Sequence, residues 1–310
     1  MDFGIAAMGL AVGFVVGLTG MGGGALMTPL LVLAFHVQPL AAVSSDLVAA
    51  VVMKPVGGSV HLKRGTVNLG LVKWLALGSV PSAFLGVLIL RSLGSGDVIQ
   101  GRIKTLLGVA LLVAAGAMVA KASFDRGREP ATEPVRVRPL ATVAIGVAGG
   151  LIVGMTSVGS GSLMIVLLLV LYPQLTARQL VGTDLVQAIP LVISAAVGHL
   201  LFGDFALGLT ASLLIGSVPG VYFGARVSAQ ANDRVIRPVL VTVLAASALK
   251  LLNVPTAVVG VLLLVALAAG AVALLTRRRR GPAIENHVVA RPADRQSDAA
   301  EPGGLAARNP

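Results

Sequence analysis

Inside its apolar stretches this sequence carries few ionisable side chains, and their types and spacing point to ion chemistry. Lys54 stands some 14 residues into a helix expected over 40–62, a depth of about 21 Å at the 1.5 Å rise of an α-helix. An ionisable group that deep is a functional candidate by default. It either supplies positive charge to an anion pathway or pairs with an acid. The plainer alternatives are a lysine that reaches the cytoplasmic interface past Val60, or one neutralised by a structural partner. Pro55 follows it and removes a backbone donor, loosening the helix there. Asp46 and Asp184 are the matching acids, each beside a hydroxyl, Ser45 or Thr183. They can bind a coupling proton or cation, or cap unwound backbone by accepting its N–H groups. Asp46 and Lys54 are eight residues apart, about 80° around a helix, so they are not an i,i+4 pair. Gln187, one turn beyond Thr183, is a further candidate for lining a pathway.

Two clusters of small residues offer a second kind of chemistry. Gly22-Gly23-Gly24 and Gly159-Ser160-Gly161 each precede a short apolar run. The first N–H groups of a helix lack internal partners and sit at the positive end of its dipole, and glycine lets an anion approach them closely. Glycine can equally serve tight helix packing in membranes. Packing is the preferred reading for Gly17, Gly86, Gly154 and Gly224, and anion binding for the two clusters, because packing alone does not need small residues at three adjacent positions. His61 and His199 lie near expected helix ends and read as interfacial residues rather than ligands. A Gly20-x-Gly22-x-x-Ala25 match to a dinucleotide fingerprint is dismissed, since it lacks the flanking strand, and Asp46, near the required spacing, falls within an apolar helix. With no His-x-x-x-His pair, no clustered carboxylates and no cysteine, neither an enzyme, a metal centre nor a cofactor site is expected.

The elements that must hold these residues are membrane helices. The chain of 310 residues is 56% hydrophobic and 12% charged, with mean hydropathy +0.92, whereas soluble domains carry about 25% charged residues. No Asp, Glu, Lys or Arg lies between Phe3 and Ser45, between Pro139 and Ala177, or between Leu251 and Thr276. A bilayer core of about 30 Å needs about 20 apolar residues per helix. Runs such as Leu262-Leu263-Leu264-Val265 lack the alternation of a membrane β-barrel. Met1-Asp2-Phe3-Gly4 has no basic region, so a cleaved signal peptide is not expected. Spans are expected at 40–62, 74–91, 103–120, 178–200, 205–226, 235–251 and 255–276. The regions 3–37 and 139–173 are each interrupted near the middle, at Gly17–Gly24 and Gly154–Gly161. Three consecutive glycines at about 1 kcal/mol each should unwind the first; the second, with serine between two glycines, should be weaker.

These breaks belong to a repeat. Val16-Gly17-Leu18-Thr19 matches Val153-Gly154-Met155-Thr156, and Ser45-Asp46-Leu47-Val48 matches Thr183-Asp184-Leu185-Val186. His61-Leu62 matches His199-Leu200, and Gly78-Ser79-Val80-Pro81 recurs as Gly216-Ser217-Val218-Pro219. Val192 holds the position equivalent to Lys54, so any role of the lysine is asymmetric. The net charge of +11 resides in short loops and the tail, a positive-inside pattern rather than a sign of nucleic acid. Arg277 to Arg280 place the C-terminus in the cytoplasm, and the five basic residues of the 121–138 linker place it there too. Region 139–173 must then enter and leave on one side as a hairpin. Each half becomes a hairpin plus three crossings, so the halves are inverted. Only the loop with Arg91 and Arg102 fits poorly.

The expected organisation is a first repeat at 1–120, a cytoplasmic linker at 121–138, a second repeat at 139–252, an added span at 253–276 and a disordered cytoplasmic tail at 277–310. Inverted repeats with broken helices characterise secondary transporters, with sites at the repeat interface. The motifs Gly20-Met21-Gly22-Gly23-Gly24 with Pro29, Ser44-Ser45-Asp46-Leu47 and His61 ahead of Arg64-Gly65 resemble the first half of TauE/SafE proteins. Gly182-Thr183-Asp184-Leu185, Gly198-His199 and Gly216-Ser217-Val218-Pro219-Gly220 resemble the second half. The resemblance spans roughly 4–252. It implies a bacterial inner-membrane transporter, in several members an exporter of sulfite or organosulfonates. The expected partners are a small anion and the lipid bilayer, with a homodimer left open and no nucleic acid. An anion channel and a passive subunit of a larger assembly are the alternatives.

Overall fold

The computed structural model describes residues 2–19, 23–94, 96–124, 135–227 and 233–262. They fold as helices α1 (Phe3–Thr19), α2 (Gly24–Ala34), α3 (Pro39–Lys63), α4 (Leu69–Ser92), α5 (Gly96–Phe124), α6 (Pro139–Thr156), α7 (Leu163–Leu171), α8 (Ala177–Phe202), α9 (Leu207–Val227) and α10 (Asp233–Leu251). Among the described residues six helices, α3, α4, α5, α6, α8 and α9, are long and apolar enough to cross a membrane. The chain is an all-α, multi-pass membrane protein. A further helix starts at residues 256–262. The rest of the span expected to 276, the tail, and most of the linker lie outside the described residues.

Helix ends extend beyond the apolar runs that reveal them. The fourth helix begins at Leu69 rather than 74, because the Asn68 side chain accepts from the Leu71 N–H at 3.1 Å and caps it. A capping box of Thr176 and Gln179 starts α8. In both cases the helix begins in a polar, interfacial turn that hydropathy does not register.

The first interrupted region divides between α1, which ends at Thr19, and α2, which starts at Gly24, with residues 20–22 outside the described residues. In the second, residues 157–162 leave the helix entirely: Ser157 is left-handed at φ 59°, Gly159 and Gly161 have φ 125° and 94°, and α7 starts at Leu163. The unwinding there is complete. The chain then doubles back. Tyr172, which ends α7, accepts from the Arg138 N–H at 2.8 Å at the start of α6, so the hairpin enters and leaves at one end. The first hairpin closes likewise, with the Phe35 ring against Gly4. One difference from expectation is length: α6, with 18 residues, has the length of a crossing by itself.

The halves are interlocked. The first helix of each hairpin packs on the fourth helix of the other half, α1 on α9 and α6 on α4, through glycines at equivalent positions. A Cβ on Gly13 would meet the Ser217 carbonyl at 2.5 Å, and one on Gly150 the Ser79 carbonyl at 2.4 Å. Gly216 similarly abuts the Ala6 carbonyl, and Gly78 that of Val143. Lipid chains are as apolar as leucine, so membrane helices hold together by such close backbone packing. Two apolar cores result, one joining α1 and α2 to α9 and α10, the other joining α6 and α7 to α4. Between them α3 and α8 cross antiparallel. Ser44, early in α3, meets His199, late in α8, while Gly182, early in α8, abuts His61, late in α3.

Candidate functional site

The polar residues of α3 converge on the second break. The Lys54 Nζ donates to Ser160 Oγ at 2.7 Å, and Lys54 is only 6% exposed. It therefore does not reach the interface past Val60, which removes that alternative. Two turns earlier, Asp46 Oδ2 accepts from Ser157 Oγ at 2.7 Å and from Thr28 Oγ1 at 2.9 Å. One helix of the first half thus grips the unwound segment of the second through a base and an acid. Neither bond is the backbone capping considered for Asp46, since both donors are hydroxyls.

The two breaks also touch. A Cβ on Gly24 would lie 1.8 Å from the Ser157 carbonyl oxygen, so this glycine is fixed by backbone contact, the packing role rather than an open anion cradle. Gly23 differs: its Cβ would have 3.6 Å to Met53 and 3.8 Å to Asp46 Oδ1. Gly22 lies outside the described residues. Gly23 and Ser160 are repeat equivalents, and one faces the acid while the other holds the base. Short helices α2 and α7 start at this level with no side-chain cap.

On α8 the equivalent residues are more self-contained. Asp184 Oδ1 accepts from Gln187 Nε2 at 3.1 Å, and Gln187 Oε1 accepts from Ser79 Oγ at 3.3 Å on α4. Thr183 Oγ1 accepts from the Asn68 N–H at 3.0 Å. Ser45 is buried, and its hydroxyl has no hydrogen-bond partner among the described residues. Both Asp46 and Asp184 lie within electrostatic reach of Lys54. Buried charges persist only when paired or hydrogen-bonded, and here one ammonium interacts with two carboxyl groups.

Sequence reasoning missed Thr28 and Ser157 as partners of Asp46, and it did not foresee the burial of His199. That histidine lies near the end of α8, as expected, and is fully buried by protein. The Gly154 carbonyl, 2.8 Å from Nε2, can only accept, so Nε2 donates. In the neutral ring Nδ1 then accepts from Ser44 Oγ, 2.8 Å away. The matched histidines of the repeat were the available signal. His61 stays half-buried and bonds Thr66 Oγ1 at 2.9 Å. Beyond His199 a cavity of about 380 Å³ opens between α4, α5 and α8, lined by Gln38, Arg91, Gln100, Phe202 and Asp204. Arg91 lies 4.9 Å over the Phe202 ring, and Arg102 donates to the Leu93 carbonyl. Both arginines that fit the charge rule poorly are thus held by local contacts.

Comparison with known proteins agrees with this architecture. The chain is 39% identical over 256 residues to the probable membrane transporter protein YjnA of Bacillus subtilis (strain 168), covering 81% of this chain and 100% of that protein. It is 25% identical over 222 residues to the probable membrane transporter protein YdhB of the same organism, covering 69% of this chain and 85% of that protein. No solved structure shows significant similarity. The family model described as sulfite exporter TauE/SafE matches residues 5–251. With its hairpins, interlocked halves and buried polar centre falling inside that match, this multi-pass membrane protein belongs to the TauE/SafE family.

Proposed function

We propose that this membrane transporter exports a small anion, sulfite or an organosulfonate, by alternating access of two inverted halves. The observation that carries the reading is the buried Lys54–Ser160 bond. It is a positive charge with hydrogen-bonding capacity, deep in a crossing helix, directed at the unwound segment of the opposite half. An oxyanion replacing Ser160 as the acceptor would gain a charge-assisted bond beside the N-terminus of α7 and the positive-φ glycines at 159 and 161. Gly23, whose Cβ would have 3.8 Å to Asp46 Oδ1, stands on the facing side. Ser45, Asp46, Thr183, Asp184 and Gln187 line the pathway. The antiparallel crossing of α3 and α8 supports the inverted arrangement, and in secondary transporters sites lie at such repeat interfaces. The charge pattern supports a bacterial inner-membrane location with a cytoplasmic C-terminus, a cytoplasmic linker at 121–138 and an added span at 253–276.

The test is transport by the purified protein in liposomes. Labelled sulfite should be carried with no partner protein present. Ser160→Ala and Lys54→Met should each raise KM, the latter by tenfold or more, since a hydrogen bond to a charged group contributes about 1.5–3 kcal/mol. Wild-type concentration dependence in both variants would return the pair to a scaffolding role. Conductance without accumulation against a gradient would make the protein a channel, and inactivity of the wild type alone would make it a subunit.

A further inference from the structure

The buried centre holds two carboxyl groups and one ammonium, and the two acids are bonded in chemically different ways. Asp184 Oδ1 accepts from the Gln187 amide N–H, and Gln187 is held in turn by Ser79 on α4. Asp46 instead meets only hydroxyls, Ser157 and Thr28, both on Oδ2. A hydroxyl donates or accepts by rotation, so these partners tolerate either form of the carboxyl group. The Asp46 Oδ1 is buried with no hydrogen-bond partner among the described residues, and beside it Gly23 leaves space that a side chain would narrow to 3.8 Å. Asp46 itself is only 1% exposed.

The groups facing this carboxyl from the packed elements are few. Lys54 shares its helix, Asp184 lies across on α8 within reach of the same lysine, and His199 is bonded to the nearby Ser44. The second hairpin helix of the first half and the second break present only the hydroxyls of Thr28, Ser157 and Ser160. The α9 helix, also packed on α3, carries no charged residue from Leu207 to Gly224. With all three ionised the cluster holds one unbalanced negative charge inside the membrane, which is costly. One added proton leaves Lys54 and Asp184 to cancel.

From this juxtaposition we propose that Asp46 is a proton-binding site: its Oδ1 takes one proton from the aqueous phase that the centre faces, and releases it to the other side as the halves exchange. No bond other than O–H forms or breaks. The coupling role rests on the anion-transporter reading, whereas the proton site itself does not. An anion entering beside Lys54 competes with Asp46 for the same positive charge, so anion and proton occupancy are linked. Because the equivalent acid is held by Gln187 and the equivalent of Lys54 is Val192, this linkage belongs to one half only, giving one proton per cycle.

Two measurements separate the claims. Infrared spectra of the purified wild type in lipid should show a protonated-carboxyl C=O band that titrates with pH and is absent in Asp46→Asn. Retention of the full band by that variant, or its absence from the wild type at every pH, would overturn the site. In weakly buffered liposomes methanesulfonate, which unlike sulfite carries no proton near neutral pH, should move about one proton per anion. That ratio should fall to near zero in whatever transport Asp46→Asn retains; an unchanged ratio overturns the coupling. If the wild type moves neither anion, the transporter reading fails and the coupling with it, while the infrared band still decides the proton site.

Discussion

At the scale of single residues, Lys54 and Asp46 show how one helix can bind both halves together. Their bonds to Ser160 and Ser157 span 106 and 111 residues of chain. Each gives a buried ionisable group a hydroxyl in place of water, and losing a hydrogen bond to a charged group costs about 1.5–3 kcal/mol. The neighbouring glycines are not equivalent. Gly24→Ala would drive a methyl group into the Ser157 backbone, and overpacking against backbone typically costs about 1–3 kcal/mol or more. Gly23→Ala would make only ordinary contacts. Thermal melting in detergent should therefore show a large drop for Gly24→Ala and little change for Gly23→Ala, whereas Gly23→Val should crowd Asp46 and abolish transport while leaving membrane insertion intact. Equal melting temperatures for the two alanine variants would remove the distinction. Gly161, at φ 94°, tolerates no side chain without strain of about 1–3 kcal/mol, so Gly161→Val should also lose transport. The sequence singled out Lys54, Asp46 and Ser160 because charge and serine stand out in an apolar run. It could not single out Thr28, whose repeat equivalent is the apolar Ile165, because a threonine in a membrane helix is locally satisfied in many ways and only the fold selects its partner.

At the scale of elements, the broken segments work as hairpins closed by an aromatic at the far end. Phe35 and Tyr172 occupy equivalent positions, and each returns to the start of its own first helix, Phe35 by ring contact with Gly4 and Tyr172 by hydrogen bonds to Arg138 and Thr142. The pairing was present in the sequence but silent, since an aromatic next to an apolar run resembles any interfacial anchor. Helix positions were far more legible: every span expected between 40 and 251 is a helix, because apolar runs of bilayer length have one stable backbone solution in lipid. Their ends were less so, because polar interfacial turns extend α4 to Leu69 and α5 to Gly96. The role of the aromatic clamp is open to measurement. Tyr172→Phe keeps the ring and loses the acceptor for the Arg138 N–H, a hydrogen bond contributing about 0.5–1.5 kcal/mol. The variant should melt slightly lower than the wild type yet transport normally, as the first hairpin already closes without a hydroxyl. Loss of transport at unchanged stability would instead give Tyr172 a part in the conformational cycle.

At the scale of the whole molecule, the reciprocal packing means that neither half has a complete core of its own. The hairpin of one half completes the helices of the other, so a relative movement of the halves must shift both hairpins together against α3 and α8. The same glycine contacts recur on both sides of the molecule, and the proposed alternating access would use them as the surfaces on which the halves move. The arrangement requires that equivalent loops lie on opposite faces of the membrane. Lys63, at the end of α3, and Asp204, after α8, occupy corresponding regions of the two halves and are both exposed. The chain has no cysteine, so a single introduced thiol reports its own side without background. In intact bacteria a membrane-impermeant maleimide should label Asp204→Cys and spare Lys63→Cys, and in inside-out vesicles the pattern should reverse. Labelling of both from one side would mean that the halves are parallel. Alternating access could then not proceed by exchange of equivalent conformations, and the convergence of Lys54 on Ser160 would have to serve a fixed pore instead.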